Sequence, residues 1–234
     1  MIGHCALFTE GGYLHRDVSD GTIMLLPKTM KDRKIPARLS QLQILLCSLT
    51  SVIDSMECTA VLIDGDAARN WSKDERPSRR YGTRPFISTR VARQALLARP
   101  ASHYPTDDLR SFIWVLLHCL IRWSTKLTPK ERLWWNALNS DEFDILYHAK
   151  LGIVVEWTKT SLFKNPDLPP TLLPFRDLLH DLFTKADFYE DAILSKEHSL
   201  TNLAPLFDSA CKAFVQILER HIYLLPVEFP DATM

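Results

Sequence analysis

Before residue 85 the apolar positions come in short runs; beyond it they fall at helical spacing. Ile23-Met24-Leu25-Leu26 and Ala60-Val61-Leu62-Ile63 are brief β-prone runs, and the second ends in Asp64. The first reads as a short buried strand. Residues 5 to 14 are short and mixed. Residues 27 to 58 open with basic positions (Lys28, Lys31, Arg33, Lys34, Arg38) and continue as Leu42-Gln43-Ile44-Leu45-Leu46, a loop followed by a short helix. Residues 69 to 84 carry Arg69, Lys73, Arg76, Arg79, Arg80 and Arg84 with few core-forming neighbours, and read as an exposed loop.

The rest of the chain is punctuated by helix signals. Thr106 or Asp107 can cap a helix through Phe112-Ile113-Trp114-Val115-Leu116-Leu117 to about Trp123. It is apolar nearly all round, which predicts a central buried helix. Thr128-Pro129-Lys130-Glu131 is a capping box with proline at the first helical position. Ser140 can open another short helix. Pro166, Pro169, Pro170 and Pro174 mark a rigid loop before a helix from Phe175 to Thr184. Leu203, Leu206, Phe207, Ala210, Phe214, Ile217, Leu218 and Ile222 form one face of a last helix.

Composition narrows the chemistry. Lys plus Arg and Asp plus Glu are 28 each, so no net field draws the chain to nucleic acid or an anionic membrane. No two of the 7 glycines are separated by one residue, which excludes a G-x-G phosphate loop within these 234 residues. The 5 cysteines show no C-x-x-C pair. They read as reduced, buried thiols of an intracellular protein, cytoplasmic or nuclear, and not as a zinc site. The longest apolar stretch, Phe112 to Ile121, is too short to span a bilayer. His118 and Cys119 on that helix read as core residues, and Trp134 and Trp135 as packing under a helix.

Four pieces in fixed order carry the chemistry: His15-Arg16-Asp17 before the first strand, Leu62-Ile63-Asp64 ending the second, Gly82-Thr83-Arg84-Pro85-Phe86 after the basic loop, and Asp107-Asp108-Leu109-Arg110-Ser111-Phe112 opening the hydrophobic helix. Each alone is weak; the ordered set is specific. The chain here resembles the fungal-type protein kinase family, a divergent branch of the protein kinase fold. The resemblance covers residues 11 to 123 and extends towards residue 185 through "FRDLLHDLF".

The resemblance implies Ser/Thr phosphotransfer from ATP with Mg²⁺. Asp17 matches the carboxylate that receives the hydroxyl proton, and Asp64 the carboxylate that holds the metal. It places Arg16 towards an anionic or phosphorylated activation loop. Thr83 would support the substrate loop and hydrogen-bond Asp17. Asp108 would tie down the backbone of the catalytic loop. Three positions depart from the family pattern. Thr22 stands where an Asn should contact a second metal, Gly65 replaces the aromatic residue after Asp64, and Arg90 replaces an acidic residue, which implies a lost ion pair. The Thr22-to-Asp64 interval is about thirty residues longer than a kinase β-hairpin needs, so 28–58 reads as an insertion.

The resulting expectation is a mainly α (α+β) fold, the large lobe of a protein kinase with a short β-hairpin. Residues 1–185 would form that lobe and 186–234 a C-terminal helical extension. Only 14 residues precede His15, none of them Lys, so the small ATP-gripping lobe is expected to be absent. The chain then reads as a truncated, inactive, pseudokinase-like module for a protein partner or substrate. Two alternatives stay open: an active kinase whose leading exons are missing from the sequence, and a purely helical interaction protein.

Overall fold

The computed structural model describes residues 2–25, 60–71, 82–124, 126–159, 169–195 and 199–224. The proposed insertion at 28–58 lies outside the described residues.

The chain is mainly helical, with two small antiparallel strand pairs among the described residues. It opens with helix α1 (Ile2–Thr9) and strand β1 (Tyr13–Leu14). Strands β2 (Ile23–Leu25) and β3 (Ala60–Leu62) pair with Ile23 opposite Leu62, so the apolar runs are strands. Strand β2 is not buried as expected: Met24 is exposed and Ile23 half-buried, because among the described residues no sheet or helix covers both faces of this small two-stranded pair. Strand β4 (Arg69–Asn70) returns to β1, with Leu14 opposite Arg69. The segment after β3 is thereby folded back beside the segment after β1. The expectation that Arg69 begins a loop is corrected at that bridge.

Helices α2 (Thr89–Leu96), α3 (Pro105–Arg122), α4 (Pro129–Leu138), α5 (Phe143–Lys159), α6 (Arg176–Leu194) and α7 (Leu200–Arg220) follow. Three of their starts carry side-chain caps. The side chains of Ser88, Thr128 and Ser199 accept N–H groups of the first turns of α2, α4 and α7. In α3 the Asp107 carboxylate takes the Tyr104 N–H at 2.6 Å, one turn back. Asp107 thus caps from the third helical position and is not itself the cap.

The ends were less legible. The helix opened near Ser140 is not short; α5 runs for 17 residues. The helix expected to stop at Thr184 continues to Leu194. The boundary drawn at 185/186 therefore falls inside α6. Beyond it, α7 packs on α1 and α6, and Leu203, Phe207, Ala210, Phe214 and Ile217 join the same core as Phe8 of α1. The C-terminal helix is part of the body of the protein.

Helix α3 is the axis of the fold. It packs against α6 on one side and against the turn at Arg84–Phe86 on the other. Trp114, at its middle, is 1% exposed, with its ring 5.3 Å from Phe183. No helix among the described residues is long and apolar enough to cross a membrane.

Candidate functional site

The site is built where three irregular segments meet the N-terminal end of α3. His15, Arg16 and Asp17 follow β1, and Arg16 has φ 68°, a left-handed conformation that a side chain with a Cβ rarely adopts. A carboxylate holds the backbone there. Asp108, buried in the first turn of α3, takes the His15 N–H at 3.0 Å on Oδ2 and the Arg16 N–H at 3.0 Å on Oδ1. His4 of α1 brings Nε2 to 3.2 Å from Asp108 Oδ2. Burial by itself would raise the pKa of Asp108. The attraction of His4 and His103 and the Arg16 N–H outweigh it and hold the carboxyl below the usual carboxylate value.

Two further bonds tie this segment to the end of β3. The His15 ring lies with Nε2 3.0 Å from the Ile63 carbonyl, and the Ile63 N–H donates to the Thr22 carbonyl at 2.8 Å. Asp64 comes next, also left-handed at φ 61°. Its side chain is exposed and caps no turn. The 17-residue stretch from Asp64 to Arg80 spans β4 and then leaves the described residues; the chain is described again at Gly82.

Thr83 closes the arrangement. Its N–H and its hydroxyl both donate to Asp17 Oδ1, at 2.7 and 2.6 Å. Gly82, at φ 91°, makes the approach possible. A Cβ there would sit 2.7 Å from the Arg16 carbonyl oxygen and 3.5 Å from Asp17 Oδ1. Only glycine combines that backbone angle with that proximity.

The other positions singled out from sequence divide. Thr22 is buried, and its hydroxyl spans the loop, donating towards the Asp17 carbonyl at 3.0 Å and accepting the Ser19 N–H at 2.9 Å. In this orientation it holds the loop's shape. Arg16 is buried as well. Arg90, read as a lost ion pair, makes one of its own: its guanidinium pairs with the buried Asp107 and lies over the Tyr104 ring. Ser88 also donates to Asp107, at 2.5 Å. The loop from Gly82 to Ser88 is thereby anchored to α3 at its far end.

Sequence reasoning missed His4 and Lys150. His4 sits in a segment with no clear period. Lys150 carried a usable signal: it falls on the buried stripe Leu146, Ile153, Trp157 of α5, where a lysine has no ordinary business.

The exposed Asp64 carboxylate suits Mg²⁺, which is commonly held by one or two carboxylates together with substrate phosphates. Thr22, its hydroxyl occupied inside the loop, offers no comparable ligand. Among the described residues no group of three or more His, Cys, Asp and Glu side chains could hold a metal on its own.

No curated protein matches the chain. A family model for the fungal protein kinases matches residues 1–120, which takes in His15, Arg16, Asp17, Asp64, Thr83 and Asp108. With just over half of its length matched, and every segment of the site inside that match, the chain belongs to the fungal protein kinase family.

Proposed function

We propose that this chain is the acceptor-side, large lobe of a Ser/Thr protein kinase, and that the 234 residues by themselves serve as a binding module for a protein partner without transferring phosphate. One observation carries the reading. Asp17 Oδ1 is held by two donors of Thr83, while no hydrogen bond among the described residues reaches Oδ2. A carboxylate fixed by one oxygen presents the other in a constant place, as acceptance of a hydroxyl proton requires.

Each residue then has a task. In a kinase completed by an ATP-gripping lobe, Asp17 would take the proton of an acceptor Ser or Thr hydroxyl as that oxygen attacks. Thr83 and Gly82 set the carboxylate's angle. Asp108 and Thr22 hold the loop that carries it. Asp64 is the carboxylate that would hold Mg²⁺, and the metal with ATP would supply charge neutralisation at the phosphates. Arg16 would balance an anionic or phosphorylated neighbouring segment.

The binding-module part rests on the sequence. Phosphoryl transfer depends on holding the phosphates in line with the acceptor, and no G-x-G loop exists here to cradle them. A second reading, a working kinase completed by an ATP-gripping lobe outside these residues, is favoured by the intact tie between Asp108 and the His15–Arg16 backbone.

The test is phosphotransfer by the purified chain to a mixed Ser/Thr peptide library at millimolar Mg-ATP. The expected result is no label above that of an Asp17→Ala variant and no rise in melting temperature. A nucleotide site saturated a hundredfold would add about 2.7 kcal/mol, a shift of several degrees. Transfer that disappears in Asp17→Ala would show that the chain is an enzyme as it stands.

A further inference from the structure

Lys150 is the anomaly of the core. It lies on α5 with 0% exposure, and among the described residues no carboxylate is within ion-pair distance of it. Its amine donates to the Pro85 carbonyl at 2.7 Å and sits 3.8 Å from the centre of the Trp114 ring. Burial pushes its pKa well below the ordinary lysine value. A methionine would fill the same space without the desolvation cost of an amine. What the amine adds is one strong donor aimed at one carbonyl.

That carbonyl belongs to a short turn with a clear dependence. Phe86 N–H and Ile87 N–H both return to the Thr83 carbonyl, at 2.9 and 3.2 Å. Pro85, lacking an N–H, has only its carbonyl with which to be held. Ser88 and Arg90 fix the far end of the segment on Asp107. Lys150 grips the middle. The near end is Thr83, whose two donors aim the Asp17 carboxylate.

We propose that Lys150 is a positioning residue for the acceptor site: its amine locks the Pro85 carbonyl and so keeps Thr83 seated on Asp17. The functional meaning rests on the reading of Asp17 as the proton acceptor, but the mechanical claim does not. Lys150 touches no reacting group and acts through Pro85 and Thr83. A buried amine with no counter-ion among the described residues, weakening the core while ordering a loop, is the pattern of a residue kept for geometry at the expense of stability.

The experiment separates those two effects. In Lys150→Met, amide hydrogen exchange is followed residue by residue, with Leu179→Ala as a control that weakens the core from α6. The expected result is about tenfold faster exchange at the Thr83 amide, the change that loss of one hydrogen bond of ordinary strength produces. Amides in α6 and α7 exchange no faster than in the wild type, and the melting temperature stays level or rises. Leu179→Ala speeds exchange throughout, without singling out Thr83. Unchanged Thr83 exchange in Lys150→Met overturns the proposal, as does a uniform acceleration matching the control, which would mark Lys150 as ordinary packing. Should the variant fail to fold, the wild-type chain decides. With ¹⁵N-labelled lysine amines and ¹³C-labelled proline carbonyls, a correlation between the Lys150 amine and the Pro85 carbonyl supports the clamp. A Lys150 amine exchanging at the rate of a surface lysine refutes it. None of these readouts involves ATP. An absence of phosphotransfer therefore bears on the reading of Asp17, and an unmoved Thr83 amide bears on Lys150.

Discussion

Asp108→Ala is expected to cost about 3–5 kcal/mol of stability, because two buried N–H groups lose a carboxylate acceptor at about 1–3 kcal/mol each. The His15 and Arg16 N–H groups would lose their acceptor inside the protein, and His4 its carboxylate. Arg16 would lose the contact that holds it left-handed, so the loop carrying Asp17 should relax first. Acid behaviour gives an independent check. The folded-state pKa of Asp108 lies below its unfolded value, so its stabilising contribution is full above about pH 4 and fades as the pH falls through the folded pKa. Urea unfolding from pH 7 to pH 2.5 should show a steeper acid decline in the wild type than in the variant. Equal slopes and a loss under about 1 kcal/mol would mean that Asp108 does not hold the loop.

Trp114→Ala is expected to cost a similar amount, about 3–5 kcal/mol, for a different reason. Here the loss is volume. The ring, buried at the middle of α3, meets Phe183 and the Lys150 amine, and removing it leaves a cavity beside the amine that holds the Pro85 carbonyl. The amine of Lys150 would also lose the aromatic face that partly offsets its burial. Equilibrium unfolding with tryptophan emission and far-ultraviolet dichroism as joint probes measures the change. A loss below about 1 kcal/mol would contradict the placement of α3 as the axis of the core.

How much of this was legible beforehand depended on whether the determining interaction was local. The capping box at Thr128–Glu131 and the apolar runs at Ile23 and Ala60 depend on neighbours a few residues away, and the corresponding elements stand where the sequence puts them. Helix α1 escaped because its residues are apolar without favouring one face, and it is held by packing on α7, some 200 residues on. Helix α5 outruns the short helix that Ser140 predicts because nothing local marks its stop; its length comes from packing against α2, α4 and α6. Within the site, Asp108 and Thr83 were legible because a family pattern names their positions, and their hydrogen bonds connect to residues 92 and 66 positions away. Arg90 shows the limit of that pattern. A basic residue in an acidic position implied a broken pair, but the nearby Asp107 accepts it. Lys150 was invisible for the opposite reason: lysine is ordinarily a surface residue, and only the fold reveals that α5 turns this one onto Pro85.

If Asp17 and Asp64 serve one site, paramagnetic broadening by Mn²⁺ will reach both. Mn²⁺ takes the same oxygen ligands as Mg²⁺ and reports even weak, transient binding through the signals it broadens. Titrated into the ¹⁵N-labelled chain with ATP present, it should broaden the amides of Asp64, Ile63, Asp17 and Thr83 before any in α6 or α7, and Asp64→Ala should abolish that order. Broadening that begins elsewhere, or that Asp64→Ala leaves unchanged, would contradict the account.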